Sequence, residues 1–191
     1  LVGKRIHFIG IGGAGMSGLA RIALSHGITV SGSDAKDSSV VIALSALGAT
    51  VSTTHAAENV DGSDLVVYSN AISQSNPERV RAQELKLPIL TRAAALAMLM
   101  SESKSVAVAG THGKTTTSSM LAVALQACAA DPSFAIGGTI TASGSNAHRG
   151  TGEIFVAEAD ESDGSFIEYH PFGAIVTNVE HDHVDFFETP E

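Results

Sequence analysis

Ile6-His7-Phe8-Ile9-Gly10-Ile11-Gly12-Gly13-Ala14-Gly15-Met16-Ser17 reads as a buried strand, a glycine turn and the opening of a helix. The apolar run over 6–9 is short and unbroken, as in a strand covered on both faces. Gly10, Gly12 and Gly15 match G-x-G-x-x-G, where glycines let the backbone turn sharply and approach a pyrophosphate at a helix N-terminus. Met16, Leu19, Ala20, Ala23 and Leu24 then recur at helical spacing.

The alternation continues outward. A second strand is expected over 28–31, a helix over 40–47 closed by Gly48, and a short strand over 49–51. The turn signal Asp61-Gly62-Ser63 precedes a strand over 65–68. Pro77 opens a helix running through Leu85, where its missing N–H costs nothing. A short strand at 89–90 and a helix over 92–100 follow. Strands alternating with helices imply an α/β fold, a Rossmann-like domain with a mostly parallel sheet. The polar Ser101-Glu102-Ser103-Lys104 separates two apolar patterns, so the domains are expected at 1–102 and 103–191. The second restarts the alternation: a strand over 105–109, a helix over 114–127, a strand over 134–136 running into Gly137-Gly138, a loop over 141–152, and strands over 154–157 and 174–177. The stretch after Lys104 is short for a doubly wound domain, so this second domain is expected to be incomplete.

Composition narrows the function classes. The chain has 191 residues, 44% hydrophobic and 16% charged, enough apolar content for a real core. Aromatics are 5%, Trp is absent and Gly numbers 19, which suits small-residue packing and tight turns. A formal charge of -9 argues against a broad nucleic-acid face, which needs clustered Lys and Arg. The single cysteine, Cys128, excludes an internal disulfide and a zinc ribbon and fits a reducing compartment. No apolar run approaches the roughly 20 residues that span a bilayer. The start leads straight into a strand with no signal peptide visible, so the cytoplasm is the expected location and no membrane insertion is expected.

Two further stretches carry chemistry. In Val106-Ala107-Val108-Ala109-Gly110-Thr111-His112-Gly113-Lys114-Thr115-Thr116 a strand leads into Gly-Lys-Thr at a helix start, the end of a P-loop, although Val108 stands where the first glycine belongs. Backbone N–H groups of such a loop cradle phosphates, Lys114 reaches the β- and γ-phosphates, and the Thr115 hydroxyl binds Mg²⁺. A lysine on a first helical turn opposes the helix dipole unless an anion is present. The strands over 154–157 and 174–177 are each followed by acids or histidines: Glu158-Ala159-Asp160-Glu161-Ser162-Asp163 and Asn178-Val179-Glu180-His181-Asp182-His183. Crowded carboxylates beside a phosphate loop suit a hard cation such as Mg²⁺. His181-x-His183-x-Asp185 also matches part of a zinc-hydrolase motif, but Phe186 takes the last histidine position and that reading leaves Lys114 idle. The glycine turn alone does not choose between a nicotinamide cofactor, with Asp34 on a ribose, and another diphosphate such as a UDP-sugar. His7, His26, His148 and His170 read as ordinary core or surface residues.

Together, the residues from His7 to Gly18, Ser31-Gly32-Ser33-Asp34, the Gly110–Thr116 loop and the two acidic segments resemble the Mur ligases of peptidoglycan synthesis. The first loop is most similar to that of the branch acting on L-alanine, with the tripeptide-recycling branch as its neighbour. The resemblance implies three domains, for a UDP-substrate, for ATP, and a further Rossmann-like one; here it covers the first and part of the second. It also implies ATP-dependent ligation of L-alanine to the lactoyl carboxylate of UDP-N-acetylmuramate through an acyl phosphate, with ATP and Mg²⁺ as cofactors, no NAD and no nucleic acid. A chain of this extent is expected not to turn over alone; a dehydrogenase or a non-catalytic nucleotide-binding fragment are the other readings. By resemblance, Gly12, Gly13, Ala14, Gly15, Met16 and Ser17 hold the UDP diphosphate, Ser33 and Asp34 lie near the uridine, and Ser69, Asn70 and Ala71 close the same cleft. Gly110, Thr111, His112, Gly113, Lys114, Thr115 and Thr116 bind ATP. Thr115 and Glu158 ligate one Mg²⁺ and His183 a second. Lys114, Glu158 and His183 form the catalytic set, with Asn178 and His181 as further contacts.

Overall fold

In a computed structural model the described residues are 2–141, 143–160 and 165–180. The chain divides into two units, Leu1–Ala95 and Leu96–Glu191.

The first unit contains β1 (Arg5–Ile9), α1 (Ala14–Ser25), β2 (Thr29–Ser33), α2 (Ser39–Ala46), β3 (Thr50–Ser52), β4 (Leu65–Tyr68), α3 (Pro77–Glu84), β5 (Ile89–Thr91) and the start of α4 (Arg92–Met100). Its five strands are all parallel, in the order β3-β2-β1-β4-β5. Successive strands therefore run outward from β1 in both directions, which opens a crevice at the carboxyl end of β1. Ile6, Phe8 and Ile9 of β1 are fully buried, and α1 lays Met16, Leu19, Ala20 and Ala23 onto the sheet. On the other face Ile9, Val60, Val66 and Ala82 form one cluster. Two helix starts have clear local causes. Ser38 caps α2 by accepting from the Val41 N–H. Asn76 caps α3 through the N–H groups of Glu78 and Arg79, with Pro77 on the first turn. Gly32 is required for packing: a Cβ there would stand 2.6 Å from Ile11 Cδ1 and 2.7 Å from the Phe8 carbonyl oxygen.

The second unit contains β6 (Lys104–Ala109), α5 (Lys114–Ala127), β7 (Ser133–Ile140), β8 (Ser145–His148), β9 (Ile154–Glu158) and β10 (Gly173–Val176). The sheet order is β10-β6-β9-β7-β8, parallel except where β8 runs against β7. Val108, Ala122, Phe134, Ile136, Ile140 and Val156 form its core. Here the sequence reading needs correction. The strand expected over 134–136 extends to Ile140, and the expected loop over 141–152 contains β8. An edge strand with polar Ser145, Asn146 and His148 carries no apolar run, and Gly137-Gly138 breaks the alternation of β7. What holds the hairpin is tertiary: Ala147 is buried, and the His148 ring lies 5.6 Å from that of Phe134.

Candidate functional site

In the first unit the turn between β1 and α1 is built on Gly10, whose φ of +81° only glycine adopts without strain. The Gly10 and Ile11 N–H groups donate to the Ser33 carbonyl at 2.8 and 3.0 Å, tying the turn to the end of β2. Asp34 is the next residue. Its Oδ2 accepts from the Gly12 N–H at 2.9 Å and its Oδ1 from the Lys36 N–H at 3.0 Å. A Cβ on Gly12 would stand 2.9 Å from that same Oδ2. Gly13 stands at the N-cap of α1 and offers no side-chain cap, and such a helix N-terminus favours anions. Ser69 lies against the turn, its Cβ 3.4 Å from where a Cβ on Gly10 would be, and Asn70 and Ala71 are exposed beyond it. The structure thus brings Gly12, Gly13, Ala14, Gly15, Asp34 and Ser69 to one crevice.

Three expected contact residues have their side chains placed elsewhere. Met16 is 1% exposed and packs into the core. Ser17 is buried, with its hydroxyl donating to the Ala14 carbonyl and its N–H to the Gly13 carbonyl. Ser33 is fully buried, and its hydroxyl donates to Glu78 Oε2 at 2.6 Å, beneath the turn rather than in the crevice.

That last bond opens onto a group the sequence reading missed. Glu78 is 0% exposed and also takes His55 Nδ1 at 2.9 Å and Asn59 Nδ2 at 2.6 Å. His7 Nδ1 bonds the Ser31 hydroxyl, while its Nε2 stands 3.5 Å from Glu78 Oε1, outside good hydrogen-bond geometry. Burial pushes the Glu78 carboxyl up, but His7, Ser33, Asn59 and His55 together outweigh it and hold it at about 2. The acid was legible as a helix-start residue after Asn76-Pro77; its burial was not. Arg92 was also missed: a Cβ on Gly15 would stand 2.8 Å from its Cδ, so its side chain runs along the first turn of α1.

In the second unit the loop between β6 and α5 has Gly110 at φ +127° and Gly113 at φ +83°. A Cβ on Gly110 would overlap Thr177 Oγ1 and stand 2.8 Å from the Asn178 carbonyl oxygen, so the loop is pressed against the segment after β10. That segment secures it. Asn178 Oδ1 accepts from the His112 N–H at 2.9 Å, Thr177 Oγ1 donates to the His112 carbonyl at 2.6 Å, and Thr111 Oγ1 bonds both the Glu180 carbonyl and N–H. Asn178 is therefore a loop-holding residue. Lys114 Nζ is folded back over the loop, 2.8 Å from the Gly110 carbonyl and 3.3 Å from that of Thr111. Thr116 is exposed on the first turn of α5.

The expected pairing of Thr115 with Glu158 is present in the geometry. Thr115 Oγ1 donates to Glu158 Oε1 at 2.9 Å, across 43 residues of sequence. Glu158 Oε2 accepts from the Gly137 N–H at 2.6 Å. A hydroxyl and a carboxylate side by side at the start of α5 are hard oxygen donors, the set that suits Mg²⁺. His181, His183, Glu161, Ser162, Asp163 and Asp185 lie outside the described residues. Among the described residues no helix is long and apolar enough to cross a membrane.

Comparison with known proteins agrees with this pair of turns. Residues 5–104 match the model of the Mur ligase family, catalytic domain, and residues 108–191 that of the Mur ligase middle domain. A UDP-N-acetylmuramate–L-alanine ligase of Nocardioides sp. is 58% identical over 187 residues, covering 98% of this chain and 42% of that protein. Its counterpart from Renibacterium salmoninarum is 59% identical, covering 98% and 40%. Among solved structures, the UDP-N-acetylmuramate–alanine ligase of Thermotoga maritima aligns with a TM-score of 0.86 at 37% identity, over 96% of this chain and 43% of that one. The UDP-N-acetylmuramate:L-alanyl-γ-D-glutamyl-meso-diaminopimelate ligase of Neisseria meningitides gives 0.86 at 36%, over 96% and 63%. The chain spans about 40% of the length of the curated relatives it matches. With both family models matched in order along the sequence, each on its own glycine turn, this chain belongs to the Mur ligase family.

Proposed function

We propose that these two units serve an ATP-dependent ligase of the cytoplasm that joins L-alanine to the lactoyl carboxylate of UDP-N-acetylmuramate in peptidoglycan synthesis. The observation that carries the reading is the Thr115–Glu158 pair beside Lys114, in a chain that also holds a second, separate anion turn. The relatives at 58% and 59% identity are UDP-N-acetylmuramate–L-alanine ligases, which favours L-alanine as the amine. In this reading residues 1–102 form the UDP-substrate domain and residues 103–191 belong to the ATP domain.

The chemistry follows from charge. A carboxylate and a triphosphate repel, and a ligase must hold them in line. The amides at the start of α1, with Arg92 alongside, receive the UDP diphosphate, and Asp34 at the crevice edge accepts from a ribose hydroxyl. Lys114, whose Nζ lies over the Gly110 and Thr111 carbonyls, reaches the β- and γ-phosphate oxygens by charge-assisted hydrogen bonds. Thr115 and Glu158 would hold Mg²⁺, with His183 for a second ion; when bound, the metal supplies positive charge against the phosphate oxygens. The substrate carboxylate oxygen attacks the γ-phosphorus and ADP leaves. The amine of L-alanine then attacks the acyl carbon of the acyl phosphate, and inorganic phosphate departs with the amide formed.

Isothermal titration of the chain with UDP-N-acetylmuramate, with NADH, and with a non-hydrolysable ATP analogue plus Mg²⁺ tests the reading. The first and third bind and NADH does not. Binding of NADH at the first turn in place of the UDP-sugar would overturn it in favour of a dehydrogenase.

A further inference from the structure

Thr115 and Glu158 are placed by a third element, the glycine pair of β7. Neither Gly137 nor Gly138 has a left-handed backbone, so conformational freedom does not explain them. Space does. A Cβ on Gly137 would stand 2.9 Å from Glu158 Oε2 and 3.2 Å from Oε1. A Cβ on Gly138 would stand 2.7 Å from Thr115 Cγ2, and among the described residues no other atom outside its chain neighbours comes within 4 Å of it. Each glycine thus faces one member of the pair.

The ladder explains how a strand comes to do this. β7 pairs with β8 at Ala135↔Ala147 and again at Ile140↔Ser145, so β7 carries extra residues between these points. A bulge of this kind takes backbone groups out of the ladder and re-aims them. Gly137 lies in the bulge, and its N–H points at Glu158 Oε2 at 2.6 Å. With Oε2 clamped by the backbone, Oε1 is turned to the Thr115 hydroxyl at 2.9 Å.

We propose that Gly137 and Gly138 are positioning residues for the Mg²⁺ pair, Gly137 by its N–H clamp on Glu158 and Gly138 by leaving room for the Thr115 methyl. This rests on the reading of Thr115 and Glu158 as metal-holding. Groups behind metal ligands commonly control metal affinity by about 10–100-fold.

The test compares binding of a non-hydrolysable ATP analogue in Mg²⁺ and in EDTA, by calorimetry, for the wild-type chain, G138A, T115S and G138A/T115S. Wild type binds more tightly in Mg²⁺. G138A retains its affinity in EDTA, carried by the loop, and loses at least about tenfold of the Mg²⁺ enhancement. T115S removes the one methyl that the new Cβ would meet and keeps the hydroxyl. The double variant therefore recovers most of that loss relative to T115S, which a general weakening of β7 would not allow. If G138A fails to fold, recovery of folding in the double variant reports the same clash, and a double variant that also fails to fold overturns the claim. Wild-type binding that is indifferent to Mg²⁺ removes the metal reading and this inference with it. A Mg²⁺-dependent wild type beside an equally dependent G138A overturns the inference alone.

Discussion

Replacing Glu78 by Gln removes a buried negative charge while keeping the shape of the side chain. The carboxylate accepts from Ser33, His55 and Asn59, with His7 and His55 the two imidazoles facing it. An amide offers one oxygen and turns its NH2 toward at least one of those donors, leaving a buried donor unpaired at about 1–3 kcal/mol. The linkage route gives a similar figure. A carboxyl lowered from 4.5 to about 2 on folding contributes roughly 3 kcal/mol. The sign is that of a depressed acid: the contribution is complete above pH 4.5 and is lost as pH falls through about 2. The chain has two tyrosines and no tryptophan, so in a Tyr169→Phe background Tyr68 reports on the first unit alone. Urea unfolding followed by Tyr68 fluorescence should place E78Q about 2–3 kcal/mol below its parent at neutral pH, with the gap closing between pH 4.5 and 2. A gap under about 0.5 kcal/mol, the size of an ordinary surface substitution, or one that persists unchanged to pH 2, would refute the ionised buried carboxylate.

Other substitutions probe the remaining sites. Lys114→Ala should weaken binding of an ATP analogue by roughly 10²–10³ while UDP-N-acetylmuramate binds as before; unchanged nucleotide affinity in calorimetry refutes the role of Lys114. Gly32→Ala forces a Cβ against Ile11 and Phe8 and should cost at least about 1–3 kcal/mol of first-unit stability in the Tyr68 assay. Asn178→Ala frees the His112 N–H and should raise amide exchange of the loop peptide over 110–113 without altering exchange in β1 and β2; equal protection in both proteins would show that Asn178 does not hold the loop.

Much of the site was readable because the chemistry is local. A glycine turn between a strand and a helix is specified by neighbours in sequence, and so were the positions of Gly10, Gly12, Gly110, Gly113 and Lys114. Thr115 and Glu158 come from two separate segments: the rule that ligands gather at the carboxyl ends of parallel strands put those segments at one site, and the family resemblance singled out these two residues as a pair. Ser17 and Ser33 misled because a serine beside a phosphate turn looks like a ligand; which way each hydroxyl faces depends on helix phase and on Glu78. β8 escaped because an edge strand needs no apolar face of its own.

By itself the sequence determined the alternation of strands and helices and the two glycine turns, since short-range backbone geometry and apolar periodicity suffice for both. Only the tertiary structure decided that Glu78 is a buried ion under the first turn and that Gly137 and Gly138 flank Glu158 and Thr115. Those facts depend on contacts between residues far apart in the chain, where burial and close approach are set by packing and leave no mark on any local pattern.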